Sequence, residues 1–244
     1  MKKVLVLSGE GINCEMETAA AFERVGVSPQ IVPVRVLLTN PQMLLDYQIF
    51  ALPGGFSFGD EITSGQVLGL ALKDALTPVW AQFMNRGGLS IGICNGFQIL
   101  MKMGVFEPFT LAANSPHGFQ NRWIGMKVEA SKCVWTKGLE GEELFMPMRH
   151  GEGRIWTPSN QRTERMNVLR EQGQIVLRYT SDPNGSLEQI AGLCDPTGQV
   201  FGLMPHPEAA LMTNLFPSKN MTNKATLHER IFANAAQYTQ EIHA

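Results

Sequence analysis

Apolar positions in the first hundred residues follow two alternating patterns. Residues 3–7 form a continuous run of Val and Leu, expected of a strand covered on both faces, and Gly9 and Gly11 follow it. Residues 15–25 then carry Met16, Ala19, Ala20 and Phe22 at helical spacing. Further buried-strand patterns occur at 28–36, at 49–52 before Pro53-Gly54-Gly55, and at 89–93. The last passes without a spacer into a helical pattern of Phe97, Ile99, Leu100 and Met103 that stops at Gly104. Strands alternating with helices predict an α/β fold, an open, mostly parallel sheet with helices on both faces.

From about Asn114 the pattern becomes short alternating stretches at 123–128, 175–179 and 190–194, which predict β hairpins added in the C-terminal half. Residues 200–204 read as a last core strand running into Pro205-His206-Pro207-Glu208. Residues 224–242, with Leu227, Ile231 and Ala235, predict a closing helix. No repeat, low-complexity tract or linker interrupts the chain, so residues 1–244 read as a single domain.

Composition narrows the function. Hydrophobic residues make up 44% of the 244 positions and charged residues 17%, which suits a folded globular protein. A formal charge of −2 without a dense Lys/Arg cluster argues against nucleic acid or an anionic membrane as partner, leaving a small molecule or a protein. The first apolar run is too short to span a membrane and lacks signal-peptide architecture, so the expectation is a cytoplasmic protein. The cysteines at 14, 94, 133 and 194 form no Cys-x-x-Cys pair, so no metal site and no disulfide framework is expected.

Cys94 lies where a buried strand turns directly into a helix, within Gly92-Ile93-Cys94-Asn95-Gly96-Phe97-Gln98. The flanking glycines suit a sharp strand-to-helix turn. A helix N-terminus favours thiolate and presents free N–H groups to a developing oxyanion. A small buried hydrophobe is the competing reading of an isolated cysteine.

A cysteine acting on an amide needs a base that later protonates the leaving group, and histidine is suited to that. Of the five histidines, His228 and His243 read as solvated residues of the last helix or tail, and His117 lies in a Pro/Gly loop. His150 belongs to a polar loop with no evident strand behind it and is the second choice. His206 follows a buried strand and precedes Pro207, with Glu208 two residues on to hold the imidazole. This is the preferred pair.

The string Gly-x-Cys-x-Gly-x-Gln around Cys94, with His206, Glu208 and the Pro53-Gly54-Gly55 turn, resembles the class I glutamine amidotransferases. Gly54-Gly55-Phe56-Ser57-Phe58-Gly59-Asp60, His150-Gly151-Glu152-Gly153, Pro183-Asn184-Gly185-Ser186 and Gly202-Leu203-Met204-Pro205-His206-Pro207-Glu208 carry the likeness further. They resemble the glutaminase subunits of phosphoribosylformylglycinamidine synthase from Val4 to about Ala210.

The resemblance implies a flavodoxin-like sheet and catalysis by Cys94, His206 and Glu208, with Gly55 and Asn95 N–H groups as oxyanion hole. It further implies glutamine recognition by Gln98, Asn114 and Phe119, and a site rim or partner contact at His150, Glu152 and Asn184. No cofactor is implied on this chain. Ammonia would pass to a separate synthetase carrying ATP and Mg²⁺, with a small accessory subunit in the complex.

The sequence departs from the family pattern at Ala209, where Arg is common, and at Glu61-Ile62-Thr63-Ser64. Between Asn114 and Trp123 it matches only at the ends. A γ-glutamyl peptide hydrolase and a catalytically silent regulatory subunit are the alternatives. Cys14 reads as structural, and Gly9 and Gly11 as a strand-to-helix turn rather than a phosphate loop.

Overall fold

Five consecutive parallel strands hold the centre of the molecule. The computed structural model describes residues 2–60, 62–217 and 225–242; Glu61, Lys224 and His243 lie outside them. In order across the sheet, β2 (Ser28–Pro33), β1 (Lys3–Ser8), β3 (Ile49–Leu52), β4 (Leu89–Ile93) and β11 (Val200–Leu203) run parallel. Val4 to Leu7 are fully buried, as are the side chains of β3 and β4, because helices cover both faces. α1 (Glu15–Arg24) packs with α6 (Ala225–Ile242), joined by Phe22 edge-on to Phe232 and by an Arg24–Glu229 ion pair of 2.6 Å. α3 (Gln66–Asn85) packs with α4 (Asn95–Lys102) and with α2 (Val34–Thr39).

The same sheet continues beyond β11 through four antiparallel strands, β10 (Ile190–Cys194), β9 (Ile175–Tyr179), β6 (Gln120–Val128) and β7 (Glu143–His150), giving nine in all. A small separate sheet pairs β5 (Thr110–Ala113) with β8 (Glu152–Trp156), and α5 (Arg162–Glu171) precedes β9. The hairpins expected from the alternating stretches therefore widen the parallel sheet instead of forming a layer of their own. Among the described residues no helix is long and apolar enough to cross a membrane.

Three expectations need correction. The second strand ends at Pro33 rather than 36, because Pro33 caps α2 and the buried Val34 and Leu37 follow at helical spacing. His150 does have a strand behind it: β7 carries Pro147 and is an edge strand, where a residue without an N–H can be accommodated. His228 is buried rather than solvated, with its Nε2 accepting the Phe145 N–H at 3.3 Å.

Candidate active site

The turns after β1, β3, β4 and β11 converge at the carboxyl edge of the parallel sheet. The chain winds outward in opposite directions from β1, to β2 on one side and to β3 on the other, and that reversal opens a crevice. Gly11 carries φ +98° and a Cβ there would lie 2.3 Å from the Phe56 carbonyl oxygen, so the β1 turn nests directly on the β3 turn. Asn13 N–H donates to Gly54 O at 3.1 Å and Phe56 N–H to Gly11 O at 2.9 Å. Those two bonds close the bridge between the turns and leave the Gly55 N–H outside it. The Gly9 and Gly11 turn is thus occupied by protein packing.

Cys94 sits at the N-cap of α4 with φ 52° and ψ −106°, a strained conformation for a non-glycine residue. Its surroundings impose it. A Cβ on Gly96 would lie 1.8 Å from the Leu52 carbonyl oxygen, and one on Gly92 would lie 2.6 Å from the Gly96 oxygen. Cys94 N–H donates to Leu203 O at 2.8 Å, tying the elbow to β11, and the thiol points to the Arg149 carbonyl at 3.5 Å. Asn95 is the first residue of α4, so its N–H has no acceptor within the helix.

His206 is 3% exposed, with its N–H bonded to Pro147 O of β7 at 2.9 Å. Its Nδ1 lies 2.6 Å from Glu208 Oε1, and its Nε2 has no hydrogen-bond partner among the described residues. Burial alone would push the imidazole down. The Glu208 carboxylate, and then Cys94, outweigh it and hold His206 well above the usual histidine range.

Cys94, His206 and Gly55 line one cavity of about 150 Å³, together with Asn13, Cys14, Phe56, Phe119 and Arg149. Phe119 is 55% exposed and its ring lies 6.1 Å from that of Phe56 across the mouth. A larger cavity of about 510 Å³ lies elsewhere, against α5 and the 105–109 turn, and no cysteine or histidine lines it. Chemistry therefore points to the smaller space.

The remaining sequence candidates lie deeper. Gln98 is buried, accepts from Asn95 Nδ2 at 2.8 Å and donates to the Glu152 carbonyl, so its polar atoms brace the elbow rather than face the cavity. Asn114 donates to the carbonyls of His150 and Gly118 at 2.8 and 3.2 Å and accepts from Asn184 at 3.3 Å. Asn184 is itself fully buried. Glu152 accepts the Ser64 N–H at 3.2 Å. His150 is buried with neither ring nitrogen hydrogen-bonded, and burial, reinforced by His206, lowers its pKa to about 3. It is a neutral ring stacked on Gly153, where a Cβ would come within 2.4 Å.

Cys14 and Arg149 were not singled out from sequence as cavity residues. Cys14 immediately precedes α1, in a turn that reads locally as a helix start, and its thiol is pushed up by burial. Cys14, His206 and Glu208 place potential metal-ligand atoms within 4.8 Å of one another, but the closest two of these groups are already engaged with each other.

Residues 1–239 match the family model of the CobB/CobQ-like glutamine amidotransferase domain. The chain is 36% identical to the phosphoribosylformylglycinamidine synthase subunit PurQ of Methanococcus maripaludis strain S2, over 97% of both chains. It is 34% identical to the subunit of that name from Dehalococcoides mccartyi, over 98% of both. The chain belongs to the PurQ family of glutamine amidotransferases. A solved structure of PurLQS from Thermotoga maritima superposes on it with a TM-score of 0.78 at 32% identity, covering 98% of this chain and 99% of that one. A second glutamine amidotransferase from Thermotoga maritima, at 14% identity and a TM-score of 0.59, shares the PurQ fold.

Proposed function

We propose that the chain is the glutaminase subunit of a phosphoribosylformylglycinamidine synthase, with Cys94, His206 and Glu208 as its catalytic triad. The observation that carries this reading is geometric. The strained Cys94 elbow and the His206–Glu208 pair, 2.6 Å apart, share one cavity with Gly55.

Cys94 sulfur attacks the γ-carboxamide carbon of glutamine, and the carbonyl oxygen gains negative charge directed at the N–H groups of Gly55 and Asn95. His206 passes its proton to the departing nitrogen as ammonia leaves, generating a glutamyl thioester on Cys94. The imidazole then takes a proton from water, hydroxide displaces the sulfur, and glutamate is released. Glu208 holds the ring and stabilises its charged form throughout.

Ammonia passes to a partner synthetase that converts formylglycinamide ribonucleotide to formylglycinamidine ribonucleotide, a step of purine biosynthesis. ATP and Mg²⁺ belong to that partner, and this chain needs no cofactor for glutamine hydrolysis. A small accessory subunit completes the assembly, which works in the cytoplasm. Phe119 flanks the bound glutamine, while Gln98, Asn114, His150, Glu152 and Asn184 hold the loops around it.

The test is reconstitution with the synthetase. Cys94→Ala should lower glutamine-dependent product formation by at least about 10³-fold, while product formation from added ammonium salt persists. Retention of glutamine-dependent activity by Cys94→Ala would sink the triad assignment.

A further inference from the structure

We infer that Arg149 recognises the α-carboxylate of the bound glutamine. This rests on the glutaminase reading of the same cavity and adds a specificity residue to it. Arg149 is the lone lysine or arginine on the cavity wall, and no aspartate or glutamate lines that wall. Its main chain is fixed beside the nucleophile, since the Arg149 carbonyl oxygen is the one that Cys94 Sγ approaches at 3.5 Å. Along β7, Met148 and His150 are buried, whereas Arg149 alternates outward and is exposed. The side chain therefore leaves the strand at the mouth of the site.

The Arg149 guanidinium makes no ion pair and no hydrogen bond among the described residues. Other arginines are engaged: Arg24, Arg170 and Arg178 with carboxylates, and Arg122 and Arg165 with carbonyl oxygens. Arg149 also lines a neighbouring pocket of about 470 Å³ that contains Glu17, Glu23 and Glu208, yet none of these pairs with it. A planar cation with all its donors free, at the edge of a cavity for a small anion-bearing substrate, suits two-point binding of a carboxylate.

Substrate geometry agrees. With the γ-carboxamide carbon on Cys94, the α-carbon lies three carbon–carbon bonds away, roughly 4 Å at full extension. Its carboxylate then emerges at the mouth, where Phe56, Phe119 and Arg149 meet. Attraction between the two charges also favours substrates with a free α-carboxylate over peptide-linked glutamine.

The assignment is tested in the reconstituted complex with glutamine and with glutamine α-amide, which keeps the reacting γ-carboxamide but carries no α-carboxylate. Arg149→Ala should raise KM for glutamine about 10- to 100-fold, the range expected for losing a charge-assisted hydrogen-bonded pair. kcat should change far less, and kcat/KM for the α-amide should stay within about threefold of wild type. Arg149→Lys should recover part of the preference for the free acid. Equal losses on both substrates would show a structural role and overturn the assignment, as would an unchanged KM for glutamine. Either result leaves the glutaminase reading standing. A wild-type complex unable to hydrolyse glutamine would overturn both.

Discussion

At the scale of single residues, the site depends on how one histidine is held. His206 is buried, which disfavours its charged form, and Glu208 outweighs that effect from 2.6 Å. Its raised pKa keeps a proton on the imidazole for the departing ammonia. In Glu208→Gln the desolvation remains and the carboxylate charge is gone, so the imidazolium loses its proton at lower pH. The alkaline limb of the glutaminase kcat/KM profile should therefore move down by roughly one pH unit or more, read from initial rates of glutamate release by the complex. An unmoved alkaline limb would mean that Glu208 does not set the charge of His206.

Much of this chemistry was legible in the sequence. Cys94 lies inside a local signature, and His206 and Glu208 are two positions apart, so short strings sufficed. Arg149 and Cys14 reach the cavity from segments far apart in the chain, one ending β7 and one preceding α1, and no local pattern announces such a wall. Gln98 shows the opposite limit. Its place in the motif was visible, but its engagement with Asn95 and the Glu152 carbonyl depends on β8, which is distant in sequence.

Among the elements, continuous apolar runs marked β1, β3 and β4 because burial on both faces demands them. The ends of β2 and the whole of β7 were harder. Val34 to Leu37 fits a strand or a helix by periodicity, and Pro33 decides for the helix. In β7, Pro147 breaks the strand signature, and only the sheet order reveals an edge where it can be accommodated. α3 carried a readable signal in Leu68, Leu72, Leu76, Val79 and Phe83 that the strand-centred reading passed over.

The elbow itself is an element-scale device, and its glycines can be tested against one another. A Cβ at Gly96 would fall 1.8 Å from a backbone oxygen of β3, which cannot move without disturbing the sheet. One at Gly151 would meet nothing closer than 3.8 Å. Gly96→Ala should lose about 3 kcal/mol or more of unfolding free energy, at the upper end of overpacking costs, whereas Gly151→Ala should change it by less than about 0.5 kcal/mol. Urea midpoints for the two variants check this, and equal midpoints would contradict the steric account of the turn.

For the molecule as a whole, the interior of the hairpin half couples folding to pH. His150 closes β7, and its carbonyl is held by Asn114, which is in turn bonded to Asn184. The three residues tie β7, the 114–119 loop and the turn before β10 into one body. At their centre the His150 ring is buried and neutral, with its pKa lowered from 6.5 to about 3. An unfolded chain binds a proton at that position below about pH 6.5 and the folded chain does not, so stability falls as pH drops from 6.5 towards 3. By pH 4.5 the penalty is roughly 2–3 kcal/mol, at about 1.4 kcal/mol per pH unit.

His206 has the opposite sign. Its raised pKa contributes stability that is fully present below the unfolded value near 6.5 and is lost as pH rises through the folded value, so it adds no slope in the acid window. Replacing His150 with Phe keeps a ring against Gly153 but removes the titration. The fall in urea midpoint between pH 7 and pH 4.5 should be clearly smaller for His150→Phe than for wild type. Parallel falls would show that acid sensitivity arises elsewhere, in the carboxylates of the sheet edges or of α1.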